Sequence, residues 1–428
     1  MTRKTIILTT IVAVLAATAT LVLVVLAINA SPKPMRIAEP IDFSHTIDSD
    51  AFRQVQRVVL GSHAIPGNRI ELFENGEEIY PAMLAAIEAA EKTVTFETYE
   101  YWGEEVGGDF AEALAAAAER GVRVHAIFDF IGSTQAGREK FERMEEAGVE
   151  VIRWREPSWY QMARFNHRTH RKLLIVDGNV GFTGGANIAD AWKGSPETGG
   201  YRDNHYRIDG PAVAHLQGSF LENWLNATSR LLYTEDYFPE LAPAGDLEIK
   251  VVNSSPREGT HRIRAMMLLA FAAAGDHIRI ATPYFYPDNM VLDALLDARE
   301  RGVEVTLMLA GEELDKGWVR QASMNRWGKL LEAGVKIHEY EPSMYHAKLY
   351  IVDDLWVSVG SANLDNRSFR INDETNIVVM DRDFATMMVD QFERDLEDSV
   401  AYDLDTWKDR PRLRRLKGWL TMTFGPHL

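Results

Sequence analysis

His170-Arg-Lys172-Leu-Leu-Ile-Val-Asp177, followed by Gly184-Gly185-Ala-Asn187, is the stretch from which the fold can be read. It recurs as His346-Ala-Lys348-Leu-Tyr-Ile-Val-Asp353, followed by Gly360-Ser361-Ala-Asn363. In both copies Lys stands two after His, Asp seven after His, the first Gly seven after Asp, and Asn three after that Gly. The short apolar runs after each Lys, bounded by turn residues, predict strands. Residues two apart on a strand share a face, so His170 projects with Lys172 and His346 with Lys348. Asp177 and Asp353 close their strands before a turn and read as structural. Gly184 and Gly360, at the end of a second short strand, allow backbone and the following Asn amide to come close to an anion.

Two copies supply two His, two Lys and two Asn. Chemistry at a phosphodiester needs a nucleophile, an acid for the leaving oxygen, and donors for the remaining oxygens. Imidazole fills either of the first two roles near neutral pH. Lys is a point charge for phosphate, and Asn donates without adding charge. One departure separates the copies: Gly185 stands where the second copy has Ser361, so the first half-site lacks a hydroxyl.

The doubled H-x-K-x(4)-D-x(6)-G-[GS]-x-N resembles the phospholipase D superfamily, and within it bacterial cardiolipin synthases and related phosphatidyltransferases. The flanks agree: Asn68-Arg-Ile-Glu-Leu-Phe-Glu-Asn-Gly76, Tyr201-Arg-Asp203-Asn-His-Tyr-Arg-Ile-Asp-Gly-Pro211, Leu364-Asp-Asn-Arg-Ser-Phe369 and Asn372-Asp-Glu374. The resemblance implies a two-domain α/β fold with both motifs in one pocket. It implies His170 as nucleophile and His346 as acid and base, passing through a phosphohistidine. Lys172, Lys348, Asn187 and Asn363 would hold the phosphoryl oxygens, and Asp203 and Glu374 match the acidic partners of the two His. It also implies transfer between phospholipids, with two phosphatidylglycerols giving cardiolipin and glycerol. The alternative is a phosphodiesterase that hydrolyses phospholipid or, less in keeping with the charge, nucleic acid.

The chain has 428 residues, 46% of them hydrophobic, enough for a full core. It has no Cys, which excludes disulfides and thiolate chemistry. A net charge of −17 repels a nucleic-acid backbone, so no nucleic-acid partner is expected. No cofactor or metal is implied, since the two Lys already supply positive charge.

Residues 5–28 carry no charge. As a helix at about 1.5 Å per residue they would run roughly 36 Å, enough to cross a bilayer core of roughly 30 Å. The length, and Ile28 at the third position before Ser31, favour an uncleaved single-pass anchor over a cleaved signal peptide. A bacterial inner membrane is the expected location. Lys and Arg flank the span on both sides, which leaves orientation open.

From residue 68 onward α- and β-type patterns alternate, predicting an α/β fold with a mostly parallel sheet. The second half repeats the first after about 180 residues: Arg120-Gly-Val matches Arg301-Gly-Val, and Ala147-Gly-Val matches Ala333-Gly-Val. Each Gly reads as a helix C-cap leading into a strand. The expected architecture is therefore two pseudo-symmetric phospholipase D-type domains packed together behind a transmembrane helix. The divisions are an anchor at 1–30, a linker at 31–66 with a short helix near 51–60, a first domain at 67–241, a second at 242–400 and a basic amphipathic tail at 401–428. The segment between Gly148 and His170 is longer than its counterpart. With Trp154, Trp159, Tyr160, Met162 and Phe165 it reads as an apolar lip beside the site or as a packed loop.

Overall fold

Each motif strand is the first arm of a tight hairpin, and the sheet is built outward from these two hairpins. A computed structural model describes residues 3–30, 45–156 and 166–411. In the first half the strands are β1 (Ile65–Glu74), β2 (Thr93–Thr98), β3 (Arg123–Asp129), β4 (Glu150–Trp154), β5 (Leu173–Val176), β6 (Val180–Gly184) and β7 (Asn204–Asp209). The second half has β8 (Leu247–Ser254), β9 (His277–Thr282), β10 (Phe285–Tyr286), β11 (Glu304–Ala310), β12 (Lys336–Tyr340), β13 (Leu349–Val352), β14 (Trp356–Gly360), β15 (Leu364–Asp365), β16 (Glu374–Met380) and β17 (Ser399–Tyr402).

Among the described residues one sheet runs β17-β12-β11-β9-β13-β14-β16-β8-β1-β7-β6-β5-β2-β3-β4. Read outward from its centre, β1-β7-β6-β5-β2-β3-β4 mirrors β8-β16-β14-β13-β9-β11-β12. The duplication is thus a pseudo-twofold about the antiparallel β1–β8 pair, and the halves share one sheet. The helices Val106–Glu119 and Asn289–Glu300 join β2 to β3 and β9 to β11 as parallel crossovers. Each crossover helix ends at an Arg-Gly whose Gly has a left-handed φ: +94° at both Gly121 and Gly302.

The expectation of a mostly parallel sheet is corrected. Parallel pairing is confined to β2-β3-β4 and β9-β11-β12, with the separate β10–β15 pair; the rest of the large sheet is antiparallel. The reason is local. Only Asp177-Gly-Asn separates β5 from β6, and only Asp353-Asp-Leu separates β13 from β14. Connections that short can only reverse the chain, because a parallel return needs a crossover of a dozen or more residues.

The segments flanking the repeats also have definite places. The helix Arg3–Ala30 is fully exposed over Arg3–Val24 and is long and apolar enough there to cross a membrane. Its Thr9, Thr10, Thr18 and Thr20 hydroxyls donate to carbonyls one turn back, which satisfies them without water. The helix Asp50–Leu60 is capped by Ser49 and buries Phe52, Gln56 and Leu60. β17 straddles residue 400, pairs with β12, and leads to a short helix whose Trp407 donates to the Met324 carbonyl at 2.6 Å.

Trp154 does not belong to an apolar lip. As the last residue of β4 it is paired with Asp129 and buried in the core with Ile127 and Leu173. Trp159, Tyr160, Met162 and Phe165 lie outside the described residues, as does most of the basic tail.

Candidate active site

The two motifs meet by a reciprocal exchange between the halves. The backbone N–H of His170 donates to the Asp373 carbonyl at 2.8 Å, and that of His346 donates to the Arg202 carbonyl at 2.7 Å. Thr169–Asp373 and Arg202–Tyr345 form matching parallel bridges. Each bridge places an acid from one half against the His of the other. His170 Nδ1 lies 2.9 Å from Glu374 Oε2, and His346 Nδ1 lies 2.7 Å from Asp203 Oδ2. Sequence reasoning names both carboxylates as partners; the crossing is what the structure adds.

Donation of Nδ1–H to the carboxylate leaves Nε2 of each ring unprotonated; Lys348 Nζ lies 2.8 Å from His346 Nδ1 and 3.1 Å from its Nε2. Burial holds His170 neutral, with its pKa brought down to about 3 against the opposing pull of Glu374; Lys172 lowers it further. His346 is lowered to about 4, first by burial and then by Lys348. Burial likewise brings Lys172 down to about 8 and Lys348 to about 7, with Lys172 adding to the effect on Lys348. Lys172 also acts on His346 and Lys348 on His170, so the four groups share one electrostatic environment. Asp203 is fully buried, yet its pKa falls to about 2, because His346 and Lys348 outweigh the desolvation.

The two Asp of the motifs stand away from this chemistry. Asp177 accepts the backbone N–H groups of Glu91, Lys92 and Thr93 at 2.7–2.9 Å. Asp353 accepts those of Gly275, Asp276 and His277 at 2.8–2.9 Å. Each ties the hairpin turn to the start of the neighbouring strand. Gly184 and Gly360 permit close strand approach: a Cβ on them would come within 2.5 Å of the Asn204 carbonyl oxygen and 2.4 Å of that of Thr375.

The Gly185/Ser361 difference has a geometric cause. A Cβ on Gly185 would stand 2.1 Å from Asp203 Oδ1, so the first half has no room for a side chain there. In the second half the Ser361 hydroxyl donates to Glu374 Oε2 at 2.5 Å and the Ser368 hydroxyl to Oε1 at 2.8 Å. The first half replaces both hydroxyls with Trp192, whose indole N–H donates to Asp203 Oδ2 at 2.8 Å. Trp192 and Ser368 were missed by sequence reasoning, although a signal was present: each stands five residues after the motif Asn.

Asn187 and Asn363 are placed differently. Asn187 Oδ1 accepts the Glu100 N–H at 3.1 Å and its Nδ2 lies 3.4 Å from Glu100 Oε2. Asn363 makes no side-chain hydrogen bond among the described residues, and its buried Oδ1 has no partner. It lines a cavity of about 230 Å³ together with His170, Tyr99, Arg168, Lys316 and Arg367. Tyr99 stands edge-on to His170 at 5.2 Å between ring centroids, and Trp192 edge-on to His346 at 5.0 Å. Of the cations at the cavity rim, Arg168 stands two residues before His170, Lys316 caps the helix Gly317–Glu332, and Arg367 lies in the short helix Asn366–Arg370. Among the described residues no three His, Asp or Glu side chains are grouped as a metal site requires.

The arrangement supplies two neutral imidazoles, each oriented by a buried carboxylate, and two lysines beside them, with Lys348 Nζ 3.1 Å from His346 Nε2. This is equipment for in-line displacement at a phosphodiester, with one ring attacking and the other moving the proton.

Known proteins resemble the chain across both halves. The family profile described as "Cardiolipin synthase, PLD-like domain" matches residues 83–222 and 267–396, one segment in each half. "Major cardiolipin synthase ClsA" of Bacillus subtilis (strain 168) is 33% identical over 383 residues, covering 87% of this chain and 79% of that protein. A "Cardiolipin synthase" of Geobacillus kaustophilus (strain HTA426) is 34% identical over 376 residues, covering 86% and 74%. Among solved structures, the phosphatidylserine synthase of Haemophilus influenzae Rd KW20 superposes with a TM-score of 0.64 at 12% identity, over 88% of this chain and 97% of that one.

Proposed function

Because the chain belongs to the phospholipase D-like cardiolipin synthase family, we propose that it is a membrane-anchored phosphatidyltransferase that joins two phosphatidylglycerols into cardiolipin and releases glycerol. The observation that carries the mechanism is the crossed pairing of His170 with Glu374 and His346 with Asp203. In this reading His170 Nε2 attacks phosphorus as the P–O bond to the leaving glycerol breaks. The glycerol oxygen takes its proton from His346 Nε2. A second phosphatidylglycerol then gives its hydroxyl proton to His346, and its oxygen displaces His170 from phosphorus.

Three features support this division of labour. The 230 Å³ cavity is lined by His170 but not by His346, so an entering phosphoryl group meets His170 first. Burial keeps His170 neutral and ready to attack. A bound phosphodiester adds negative charge beside His346, which raises its proton affinity when a proton must be given. Lys172, Lys348, Asn187 and Asn363 hold the non-bridging oxygens; Asn363 has an amide uncommitted to protein for this purpose. The helix Arg3–Ala30 is assigned as a single-pass anchor in the bacterial inner membrane, which keeps the cavity near its lipid.

Product analysis tests the proposal. Purified protein with labelled phosphatidylglycerol, with and without phosphatidylethanolamine, is expected to yield cardiolipin and free glycerol by thin-layer chromatography. Unchanged phosphatidylglycerol, or phosphatidic acid as the sole product when alcohol acceptor is in excess, would refute it.

A further inference from the structure

A second cavity, of about 410 Å³, opens near the seam between the halves and shares no lining residue with the first. Its floor is Lys250 of β8, which faces Val378 of β16 across the sheet. Its wall is the helix Asp50–Leu60, whose Arg53 and Arg57 lie one turn apart on one face, with His63 just beyond.

The charges in this cavity are unbalanced at its base. Lys250 is 5% exposed, and its Nζ donates to Gln56 Oε1 at 3.0 Å, which leaves most of its donor capacity unused. Among the described residues no carboxylate lies within ion-pair distance of Lys250, Arg53 or Arg57; Asp50 and Glu248 line the cavity as exposed side chains. Gln56 is fully buried and its Nε2 donor has no partner. Burial, followed by Arg53 and Arg57, pushes the Lys250 pKa down to about 8, the mark of a cation held among cations without a counter-charge. A buried charge without a partner is costly, and here an anion of the right size would relieve it.

We propose that this cavity binds a phosphate-bearing anion, with Lys250 beneath it as a point charge and the Arg53 and Arg57 guanidinium groups closing over its oxygens. Arg offers a planar fork to phosphate oxygens and Lys a compact charge, so the set is complementary to a phosphate ester. Phospholipid headgroups and free phosphate present the same chemistry. Among the described residues the site occurs once, because the helix Asp50–Leu60 precedes the first repeat and has no described counterpart in the second. It is also separate from catalysis: Val378 lies four residues along β16 from Glu374, roughly 13 Å of strand.

The test uses the full chain in detergent and titration calorimetry with two probes, inorganic phosphate and dihexanoylphosphatidic acid below its micelle concentration. Wild type is compared with R53Q/R57Q, whose exposed positions leave the fold intact, and with K250M. The expected result is one site fewer, or at least tenfold weaker binding at one site, in both variants, while phospholipid turnover in R53Q/R57Q stays within twofold of wild type. Tenfold tighter binding of the lipid probe identifies a headgroup as the ligand; equal binding of the two identifies the free anion. Isotherms identical across the three proteins for both probes would overturn the proposal and leave the catalytic reading untouched.

Discussion

Replacing Glu374 by Gln removes one charge from the site and little else. Glu374 is fully buried, accepts from the hydroxyls of Ser361 and Ser368, and lies 2.9 Å from His170 Nδ1. Gln has nearly the same volume and keeps an oxygen for the serines. What it cannot do is balance the positive charge that the His170 ring gains when Nε2 bonds to phosphorus while Nδ1 keeps its proton. At an effective dielectric of about 20, unit charges 2.9 Å apart attract by about 6 kcal/mol. At about 1.4 kcal/mol per tenfold in rate, that sets a ceiling of about 10⁴ on the loss. The amide dipole recovers part of it, so E374Q is expected to lower kcat by about 10³ to 10⁴ with KM within about threefold, much as loss of the orienting carboxylate does in a catalytic triad. The assay is glycerol release from labelled phosphatidylglycerol in mixed micelles, with the melting temperature as a check on folding. A folded E374Q protein retaining more than a tenth of wild-type kcat would refute the assignment of Glu374 as the electrostatic partner of His170.

Other outcomes follow from the same geometry. G185A drives a Cβ into Asp203, so kcat is expected to fall at least about 100-fold, whereas S361A loses one hydrogen bond to a charged group and is expected to fall about tenfold; steady-state kinetics of the pair gives the ratio, and equal losses would contradict the asymmetry. Lys348 and Lys172, lowered to about 7 and 8, bind phosphate only as cations, so kcat/KM is expected to decline as pH rises through that range. K348R, which stays protonated, should shift the decline to higher pH; a wild-type profile flat to pH 9 would count against both lysines as phosphate ligands. Removing residues 1–30 is expected to move the protein from the membrane to the soluble fraction with its melting temperature unchanged, as read by fractionation and calorimetry.

What could be read from the sequence was whatever repeats or alternates locally. The paired motifs, the Gly-Val helix ends and the strand β2 follow from patterns only a few residues long. The same patterns misled on sheet direction, because apolar strands alternating with helices look parallel until the turns at Asp177–Asn179 and Asp353–Leu355 are seen to be too short for a crossover. The exchange of carboxylates between halves was not legible, since nothing near Asp203 or Glu374 states which His each will meet. That depends on β1 and β8 joining the halves about a pseudo-twofold. Trp192 and Ser368 were hidden for a different reason: an indole and a hydroxyl share the role of donor without sharing a residue type. For Trp154 the lip and the packed reading stayed open together, because a large aromatic at a strand end has the same composition whether it faces the core or an acyl chain.

The central claim is that His170 takes the phosphatidyl group covalently and that His346 is needed to release it. A substrate with a p-nitrophenol leaving group, which departs without an acid, separates the two steps in H346A. The account predicts a burst of about one p-nitrophenol per protein and a phosphatidyl adduct that peptide mass spectrometry locates on His170. Steady turnover without a burst, or an adduct on another residue, would contradict it.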